Sequence, residues 1–211
     1  MKIGIIGAGA AGCFCAIEIK RRKPEFQTVL LEAGTRPMAK LALTGGGKCN
    51  MTNTFQGIRS LKEVYPRGEI LMKRLLKEFG PEDCRKWFSA LSIASDVQPD
   101  QRVFPVCRSA PAVVRAMERE IRRLGIELRL GSRVDRIVPV DGQWDTGSEI
   151  FDRIVVTTGG GALGLLKSLD LETSSLCPSL FTLKVQDPEL NSLMGTSVKN
   201  TVLSIPGTGF K

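Results

Sequence analysis

The feature that most constrains this chain is a glycine-rich turn near its N terminus, Gly7-Ala8-Gly9-Ala10-Ala11-Gly12, which matches the pattern G-x-G-x-x-G. The apolar run Lys2–Ile6 before it predicts a buried parallel strand. After the turn, a helix is predicted from about Ala10 to Arg22, and Pro24 ends it. Thr28–Glu32 predicts a second strand, so a strand, a turn, a helix and a strand fit into 32 residues. That is the size and order of one βαβ unit.

The glycines of this turn are spaced as a dinucleotide site requires. Gly7 permits the sharp turn out of the strand, Gly9 lets bare backbone approach a pyrophosphate, and Gly12 lets the helix pack close to the sheet. Glu32 lies twenty positions after Gly12, where a carboxylate can accept hydrogen bonds from ribose hydroxyls. The alternative is a glycine turn that serves only to pack the helix against the sheet. That alternative does not explain why a glycine is present at Gly9 or an acidic residue at Glu32. We therefore predict dinucleotide binding, and the acidic side chain disfavours the 2′-phosphate of NADP.

A second glycine cluster, Thr44-Gly45-Gly46-Gly47-Lys48-Cys49-Asn50, lies within residues 33–65, where no convincing helix is predicted. It is not a P-loop, because Ala42 and Cys49 stand where that motif needs glycine and a hydroxyl residue. Bare backbone donors beside small polar side chains suit a phosphate, a ribityl chain or the edge of a flavin, and a flexible surface loop is the alternative. Cys49 has no second cysteine five positions away, so we predict a buried structural thiol rather than a redox thiol.

The composition excludes several classes of protein. No histidine is present, which removes Ser-His and Cys-His nucleophiles, and the six cysteines form no CxxC pair, so we expect no metal and reduced, buried thiols. The net charge of +8 admits acidic partners. However, the densest basic run, Lys20–Lys23, lies where the first helix ends and few aromatic residues accompany it, so nucleic acid is not expected. Residues 3–17 are too short and too rich in glycine to span a bilayer, which predicts a cytoplasmic protein. The oligomeric state stays open.

Apolar spacing predicts three further helices, near Glu69–Phe79, from Pro81, and from Ser109 to Gly125. Their apolar stripes, which include Leu71, Leu75 and Phe79 in the first of the three, are expected to face the core.

After Ile126 the pattern changes to strands, IELRL and then RVDRIV. Turns at Asp141-Gly142 and near Thr146-Gly147 predict a small antiparallel meander, and Ile154–Thr158 predicts a buried strand.

Several motifs together resemble one bacterial family of flavoproteins. They are Gly7 to Gly12, Glu32, the loop Lys40-Leu41-x-x-Thr44-Gly45-Gly46-Gly47-Lys48-Cys49-Asn50-x-Thr52-Asn53, Tyr65-Pro66-Arg67-Gly68, Arg102-Val103-Phe104-Pro105 and Thr158-Gly159-Gly160. In this combination the chain resembles the aminoacetone oxidase-like, or NAD(P)/FAD-dependent, oxidoreductases. The resemblance covers most of the chain, and its loop is far more selective than the glycine turn. Lys48 stands where the family usually has arginine.

The resemblance implies a glutathione-reductase-like fold that holds FAD non-covalently in extended form, with hydride passing into and out of the flavin ring. It makes NAD(P)H a candidate electron donor and Val134 a backbone partner of the adenine, and it identifies neither a substrate nor a catalytic residue. The cofactor-binding residues that follow from the motifs and the resemblance are Gly7, Gly9, Ala10, Ala11, Gly12, Glu32, Ala33, Lys40, Thr44, Gly45, Gly46, Gly47, Lys48, Cys49, Asn50, Val134, Thr158 and Gly159.

The expected fold is α/β. A Rossmann-like FAD-binding domain with a parallel sheet and a small antiparallel meander is predicted over residues 1–161, and residues 162–211 are predicted to begin a second, mainly β lobe. Strands at Ser179–Val185 and Ser197–Ile205 are expected in that lobe. Members of the resembled family are much longer and end with a glycine-rich segment that completes the flavin site, so we expect this chain to lack that part.

The leading interpretation is therefore an FAD-dependent oxidoreductase, or its N-terminal flavin-binding part. A dehydrogenase domain could use the same βαβ unit for NAD, although the long loop at residues 40–53 argues against it. A non-catalytic nucleotide-binding or nucleic-acid-binding module is the third reading, motivated by the charge of +8 and the missing C-terminal segment.

Overall fold

The computed structural model describes residues 1–167, 169–175 and 185–193, with the isolated positions 196, 198, 201, 202, 204 and 207. The chain forms two units, Met1–Thr173 and Ser174–Lys211. The elements of the first unit, short 3₁₀ turns aside, are β1 (Lys2–Ile6), α1 (Ala10–Arg22), β2 (Gln27–Leu31), β3 (Thr52–Asn53), α2 (Glu69–Glu78), α3 (Pro81–Ser89), β4 (Ser95–Val97), β5 (Arg102–Pro105), α4 (Ala110–Arg123), β6 (Glu127–Arg129), β7 (Val138–Val140), β8 (Gln143–Asp145), β9 (Ile150–Phe151), β10 (Arg153–Val156) and α5 (Leu163–Lys167).

The central sheet has four parallel strands in the order β10-β1-β2-β6. β1 pairs on both sides, so that Ile5 lies between Leu30 and Val155. Parallel pairing brings the carboxyl ends of β1, β2 and β10 to one edge, and the strand order reverses between β1 and β10. In open α/β sheets ligands bind at such a switch point. The predicted α/β fold with a parallel sheet is confirmed.

Alternating side chains of the sheet pack into two buried clusters. Ile5 and Leu30 lie in the larger cluster with Ile17 of α1 and Met117 of α4. Neighbouring strand residues enter a second cluster around Phe151. Because successive side chains of a strand point to opposite faces, both faces of the sheet are covered. This explains why β1 is an unbroken apolar run.

Two antiparallel sheets accompany the central sheet. The meander β7-β8-β9 was predicted, and Asp141 and Gly142 make its first turn with φ values of 49° and 77°. The segment RVDRIV was predicted as a strand, but strand pairing begins only at Val138, so that prediction is wrong. The sheet β3-β5-β4 was not predicted, because two to four residues per strand carry too little alternation to detect.

The expectation that every apolar stripe faces the core is wrong for α2. No residue of α2 is buried, and Leu71, Leu75 and Phe79 are 59%, 49% and 39% exposed. In α4, by contrast, Val113, Met117 and Ile121 of the predicted stripe are fully buried. A stripe records the spacing of apolar residues along a helix, but it does not record whether another element lies against that face.

The described cysteines are free thiols, as expected. Cys13 and Cys49 are buried and Cys15 and Cys84 are half-buried. The expectation of burial is wrong for Cys107, which is exposed. Its position directly after β5, beside exposed Val106, leaves it outside the core.

The described part of the second unit contains a short helix, Pro188–Ser192 (α6), whose N terminus is capped by the Asp187 carboxylate. The strands predicted at Ser179–Val185 and Ser197–Ile205 lie largely outside the described residues. They and the boundary at residue 161 stay predictions. Among the described helices, none has the length and apolar character needed to cross a bilayer.

Candidate functional site

A crevice of about 710 Å³ opens at the carboxyl edge of β1, β2 and β10. Its volume is typical of small-molecule sites, which occupy roughly 300–1,000 Å³. Four segments of chain supply its walls: the turn after β1, the segment after β2, the segment after β6 and the segment after β10. The crevice therefore lies where the topology of the sheet predicts a ligand.

The turn after β1 presents bare backbone to this crevice. Gly9 is the N-cap residue of α1, no side chain caps the helix, and its first turn has no acidic residue. Apart from its chain neighbours, no described residue has an atom within 4 Å of a Cβ atom added to Gly9. The first N–H groups of a helix have no partner within it, and they carry its positive dipole. This end of the crevice is therefore prepared for an anion.

The other two glycines of the turn have structural roles. Gly7 has a φ of +101°, which side chains rarely adopt, and a Cβ on it would lie 3.0 Å from the Thr157 backbone. A Cβ on Gly12 would lie 2.0 Å from the Gly7 carbonyl oxygen and 2.7 Å from the Thr157 hydroxyl. Gly12 thus allows α1 to approach the strands closely and does not line the crevice.

Glu32 follows β2, and its carboxylate is held at the crevice by the backbone. Oε2 accepts a hydrogen bond from the Ala8 N–H and Oε1 accepts one from the Gly34 N–H, both at 2.8 Å. The Glu32 backbone is itself bonded to Arg129 and Ser132. An ionised carboxylate has about four acceptor positions. Two remain, so the fixed side chain can still accept from ribose hydroxyls.

The end of β10 contributes two threonines with different surroundings. The Thr157 hydroxyl donates to the Gly7 carbonyl at 2.8 Å and ties β10 to the glycine turn. The Thr158 hydroxyl is buried and has no hydrogen-bond partner among the described residues. A buried hydroxyl without a partner costs free energy. Because Thr158 lines the crevice, a molecule bound there can satisfy it.

The segment after β6 supplies residues 132–135 of the crevice wall. Val134 packs its side chain against the cluster around Phe151. Neither its N–H nor its carbonyl oxygen makes a hydrogen bond within the described part of the chain. Arg133 and Asp135, on either side of it, form an ion pair at 2.7 Å. The backbone of Val134 is therefore available to a planar heterocycle.

The second glycine cluster forms a closed turn, and only its start reaches the crevice. Lys40 and Thr44 line the crevice, whereas residues 45–50 do not. The turn depends on positive φ values of 58°, 63° and 80° at Gly45, Gly46 and Gly47. The Gly47 carbonyl accepts a hydrogen bond from the Ala110 N–H at 2.7 Å, which fixes the turn against the start of α4.

The structure brings eleven of the eighteen predicted residues together around the crevice. They are Gly7, Gly9, Ala10, Ala11, Glu32, Ala33, Lys40, Thr44, Val134, Thr158 and Gly159. The remaining seven lie elsewhere, and their part in cofactor binding stays a prediction. They are Gly12, Gly45, Gly46, Gly47, Lys48, Cys49 and Asn50.

Sequence reasoning did not identify several residues of the crevice wall. They are Ile6, Leu31, Arg36, Met38, Ala39, Leu41, Ser132, Arg133, Asp135, Thr157, Gly161, Gly164 and Leu165. Some of these residues could have been predicted from the sequence, because the neighbours of Val134 and Thr158 follow strands that end at the same edge of the sheet. Arg36 and Met38 could not have been predicted, because only the path that the chain takes after β2 brings them to the crevice wall.

The thiols near the crevice are unreactive. Burial, with smaller contributions from the Glu32 and Glu118 carboxylates, raises the pKa of Cys13 to about 12. Burial also raises the pKa of Cys49, although a hydrogen bond with the Thr44 hydroxyl opposes the shift. The thiolate is the nucleophilic form. Both groups therefore stay protonated at neutral pH, which agrees with the predicted structural role of Cys49.

Charge at the crevice favours an anionic ligand. Arg36 and Lys40 are exposed on its wall and make no ion pair with any described residue. The positive end of α1 adds to their field. The opposing charges are Glu32, which is already bound by two backbone N–H groups, and Asp135, which is paired with Arg133. The geometry suits a ligand with phosphates at α1 and sugar hydroxyls at Glu32.

Comparison with known proteins identifies relatives and a shared fold. The 3-dehydro-bile acid delta(4,6)-reductase of Clostridium scindens is 27% identical over 98% of this chain. The ribosomal RNA dihydrouridine synthase of Escherichia coli is 43% identical over 24% of it. The chain spans 53% of the first relative and 12% of the second.

Among solved structures, Thermovibrio ammonificans THI4 matches 80% of this chain and 61% of its own with a TM-score of 0.50 at 12% identity, which shows a shared fold. The shared fold is a Rossmann-like α/β domain with a parallel sheet and additional antiparallel sheets. The model of the family described as HI0933-like protein Rossmann domain matches residues 1–174, so this chain belongs to that family.

Proposed function

We propose that this chain binds FAD non-covalently through its ADP half and serves as the flavin-binding part of an oxidoreductase. One observation carries the proposal. The uncapped start of α1, with open space beside Gly9, lies next to a carboxylate that the backbone holds in place at Glu32. A pyrophosphate and its adjoining ribose need these two features side by side.

The residues present fit such a cofactor. Gly9 and the first turn of α1 would bind the pyrophosphate, Glu32 the adenosine ribose, and the Val134 backbone the adenine. The unpartnered Thr158 hydroxyl would gain a partner, and Lys40 would add positive charge to the wall. Bound FAD would supply the exchange of hydride. The chain would supply position, charge and exclusion of water.

The reaction class we propose is reduction of a carbon–carbon double bond, with NAD(P)H as the electron donor. The support comes from the names of the two relatives. One is a reductase of 3-dehydro-bile acids, and the other forms dihydrouridine, the product of saturating a uridine ring double bond. Membership of the narrower aminoacetone oxidase-like group is the alternative. A protein of that group would also transfer hydride through the flavin, but it would oxidise an amine instead of reducing a double bond.

The test of cofactor binding is a titration of the purified chain with FAD, followed by the visible absorption of the flavin and by calorimetry. We expect saturable, stoichiometric binding and a change in the flavin bands. NAD is the control ligand, because the alternative of a plain dehydrogenase predicts that NAD binds instead. Absence of FAD binding, or displacement of FAD by equimolar NAD, contradicts the proposal.

The reaction class needs its own test. FAD-loaded protein would be reduced by NADPH or NADH without air and then mixed with a cyclic enone. A second sample, with its flavin left oxidised, would be mixed with an amine without air. Reoxidation of the flavin by the enone, with a saturated product, supports the proposal. Reduction of oxidised flavin by the amine supports an oxidase instead.

A further inference from the structure

A second hollow of about 420 Å³ lies between the start of β4, the segment after β5 and one face of α4. We call it the basic hollow, and the residues that define it here are Ile93, Ala94, Val106, Cys107, Arg115 and Arg119. It shares no residue with the crevice. The proposed FAD site therefore does not account for it.

No described carboxylate pairs with the two arginines of the basic hollow. Arg115 and Arg119 lie one turn apart on α4, both are exposed, and neither forms an ion pair or hydrogen bond with any described residue. Like charges at this spacing repel. The nearby carboxylate of Glu120 is bound instead by Arg21 and Arg123. An anion in the hollow would relieve the repulsion.

The positive character comes from these side chains and not from the start of α4. The Ala110 N–H donates to the Gly47 carbonyl at 2.7 Å, and the Ala112 N–H donates to the Ser109 hydroxyl. Pro111, between them, has no N–H to offer. The helix terminus is therefore already capped, and the two guanidinium groups are the cationic donors of the hollow.

The rest of the lining is mainly apolar, with Ser92 as a further polar residue. Val106 is 61% exposed, and Ala94 and Cys107 are also exposed beside it. Ile93, buried to 8% exposure, lies beneath them. Apolar side chains next to two cations suit a ligand that has an apolar body and an anionic group, because such sites combine apolar lining with a few polar anchors.

We propose that the basic hollow binds a small organic anion. Its carboxylate or phosphate group lies against Arg115 and Arg119, and its apolar body covers Val106 and Ile93. Guanidinium groups bind both kinds of oxyanion through paired, charge-assisted hydrogen bonds. The hollow is large enough for a body of this kind, since it would hold about fourteen waters at roughly 30 Å³ each.

The experiment is a titration followed by amide signals in two-dimensional NMR of the full chain. Phenyl phosphate and benzoate are the probes for the two headgroups, and inorganic phosphate and phenol are the controls for headgroup alone and body alone. Because signals are assigned to residues, binding at the hollow is distinguished from binding at the crevice. The same titration of Gly9→Val, which removes the proposed pyrophosphate site, separates the two proposals further.

We expect saturating shifts at Ile93, Ala94 and Val106 with at least one probe, in both the parent chain and Gly9→Val. The double variant Arg115→Gln, Arg119→Gln should weaken that binding about tenfold or more, since each charge-assisted bond contributes appreciably. Arg122→Gln, on the same helix and also without an ion pair to a described residue, is the matched control and should bind as the parent does.

Three results would overturn the proposal. The first is the absence of saturating shifts at the hollow with either probe. The second is equal binding by the parent and the folded double variant. The third is binding of inorganic phosphate as tight as that of phenyl phosphate, which would leave a bare ion site with no apolar component.

Discussion

Two glycines three positions apart in the turn after β1 should give opposite results when substituted. Gly9→Val places a side chain in the open crevice, because no described residue other than its chain neighbours has an atom within 4 Å of the added Cβ. Gly12→Ala places a Cβ 2.0 Å from the Gly7 carbonyl oxygen. The first change should remove FAD binding and keep the fold, whereas the second should damage the fold itself.

The stability costs follow from these distances. Cβ atoms essentially never lie within 3.0 Å of another atom, so Gly12→Ala requires a backbone shift of at least 3.0 − 2.0 Å, or 1.0 Å. Overpacking of this kind costs about 3 kcal/mol or more, which lowers the Tm by roughly 6–12 °C in a chain of this size. Gly9 has φ of −75° and ψ of −171°, which valine tolerates. Losing a glycine N-cap costs about 1 kcal/mol, or roughly 2–4 °C.

The loss of FAD affinity expected for Gly9→Val can be compared with these costs in stability. A side chain in place of the pyrophosphate removes at least two charge-assisted hydrogen bonds from backbone N–H groups, at about 1.5 kcal/mol or more each. The sum of about 3 kcal/mol corresponds to a loss of affinity above roughly 100-fold.

Thermal unfolding followed by circular dichroism, and calorimetric titration with FAD, measure the two effects separately. A Gly9→Val variant that binds FAD as tightly as the parent would refute the assignment of the turn. A Gly12→Ala variant as stable as the parent would refute the packing argument, and so would a Gly9→Val variant that fails to fold.

Three further predictions concern single side chains. Glu32→Gln should weaken FAD binding about tenfold, since a carboxylate acceptor is lost beside the ribose. Calorimetric titration with FAD checks it, and an affinity equal to that of the parent counts against the ribose contact. Thr28 is 2% exposed, and its hydroxyl has no hydrogen-bond partner in the described part of the chain. Thr28→Val should therefore stabilise the chain by about 1 kcal/mol in urea unfolding, with Thr28→Ser as the control. A loss of stability would be the contrary result. The Arg123 guanidinium, helped by Arg21, lowers the pKa of Glu120 from 4.5 to about 2. The pair therefore stabilises the fold above about pH 4.5, and this contribution of about 2 kcal/mol is lost as the pH falls towards 2. Urea unfolding at several pH values should show a smaller loss over that range for Glu120→Gln, and an unchanged pH dependence would be inconsistent with the ion pair.

The central sheet could be predicted from sequence because its signals are local and agree with one another. A buried apolar run, a glycine turn, a helix end rich in cations and a second apolar run all fall within residues 2–32. The same signals placed Gly9 and Glu32 at the crevice, since both follow strands whose carboxyl ends share an edge. In this part of the chain the local sequence pattern therefore agrees with the overall fold.

Other parts of the fold depend on contacts that local pattern does not contain. One example is the turn at Gly45–Asn50: a hydrogen bond from the Ala110 N–H to the Gly47 carbonyl fixes it against the start of α4, and its residues do not line the crevice. Its part in cofactor binding stays a prediction. The apolar stripe of α2 has the spacing of a core helix and is exposed all the same. In both cases the position of the segment depends on whether a partner distant in sequence lies against it among the described residues.

Competition among nucleotides for the crevice tests the central claim most directly. Calorimetric titrations of the chain with FAD would be run alone and in the presence of excess ADP or excess FMN. If the uncapped start of α1 and the Glu32 carboxylate recognise the ADP half, ADP should displace FAD and FMN should not. Displacement by FMN without displacement by ADP would show that the chain recognises the isoalloxazine end, and it would contradict the assignment of the glycine turn.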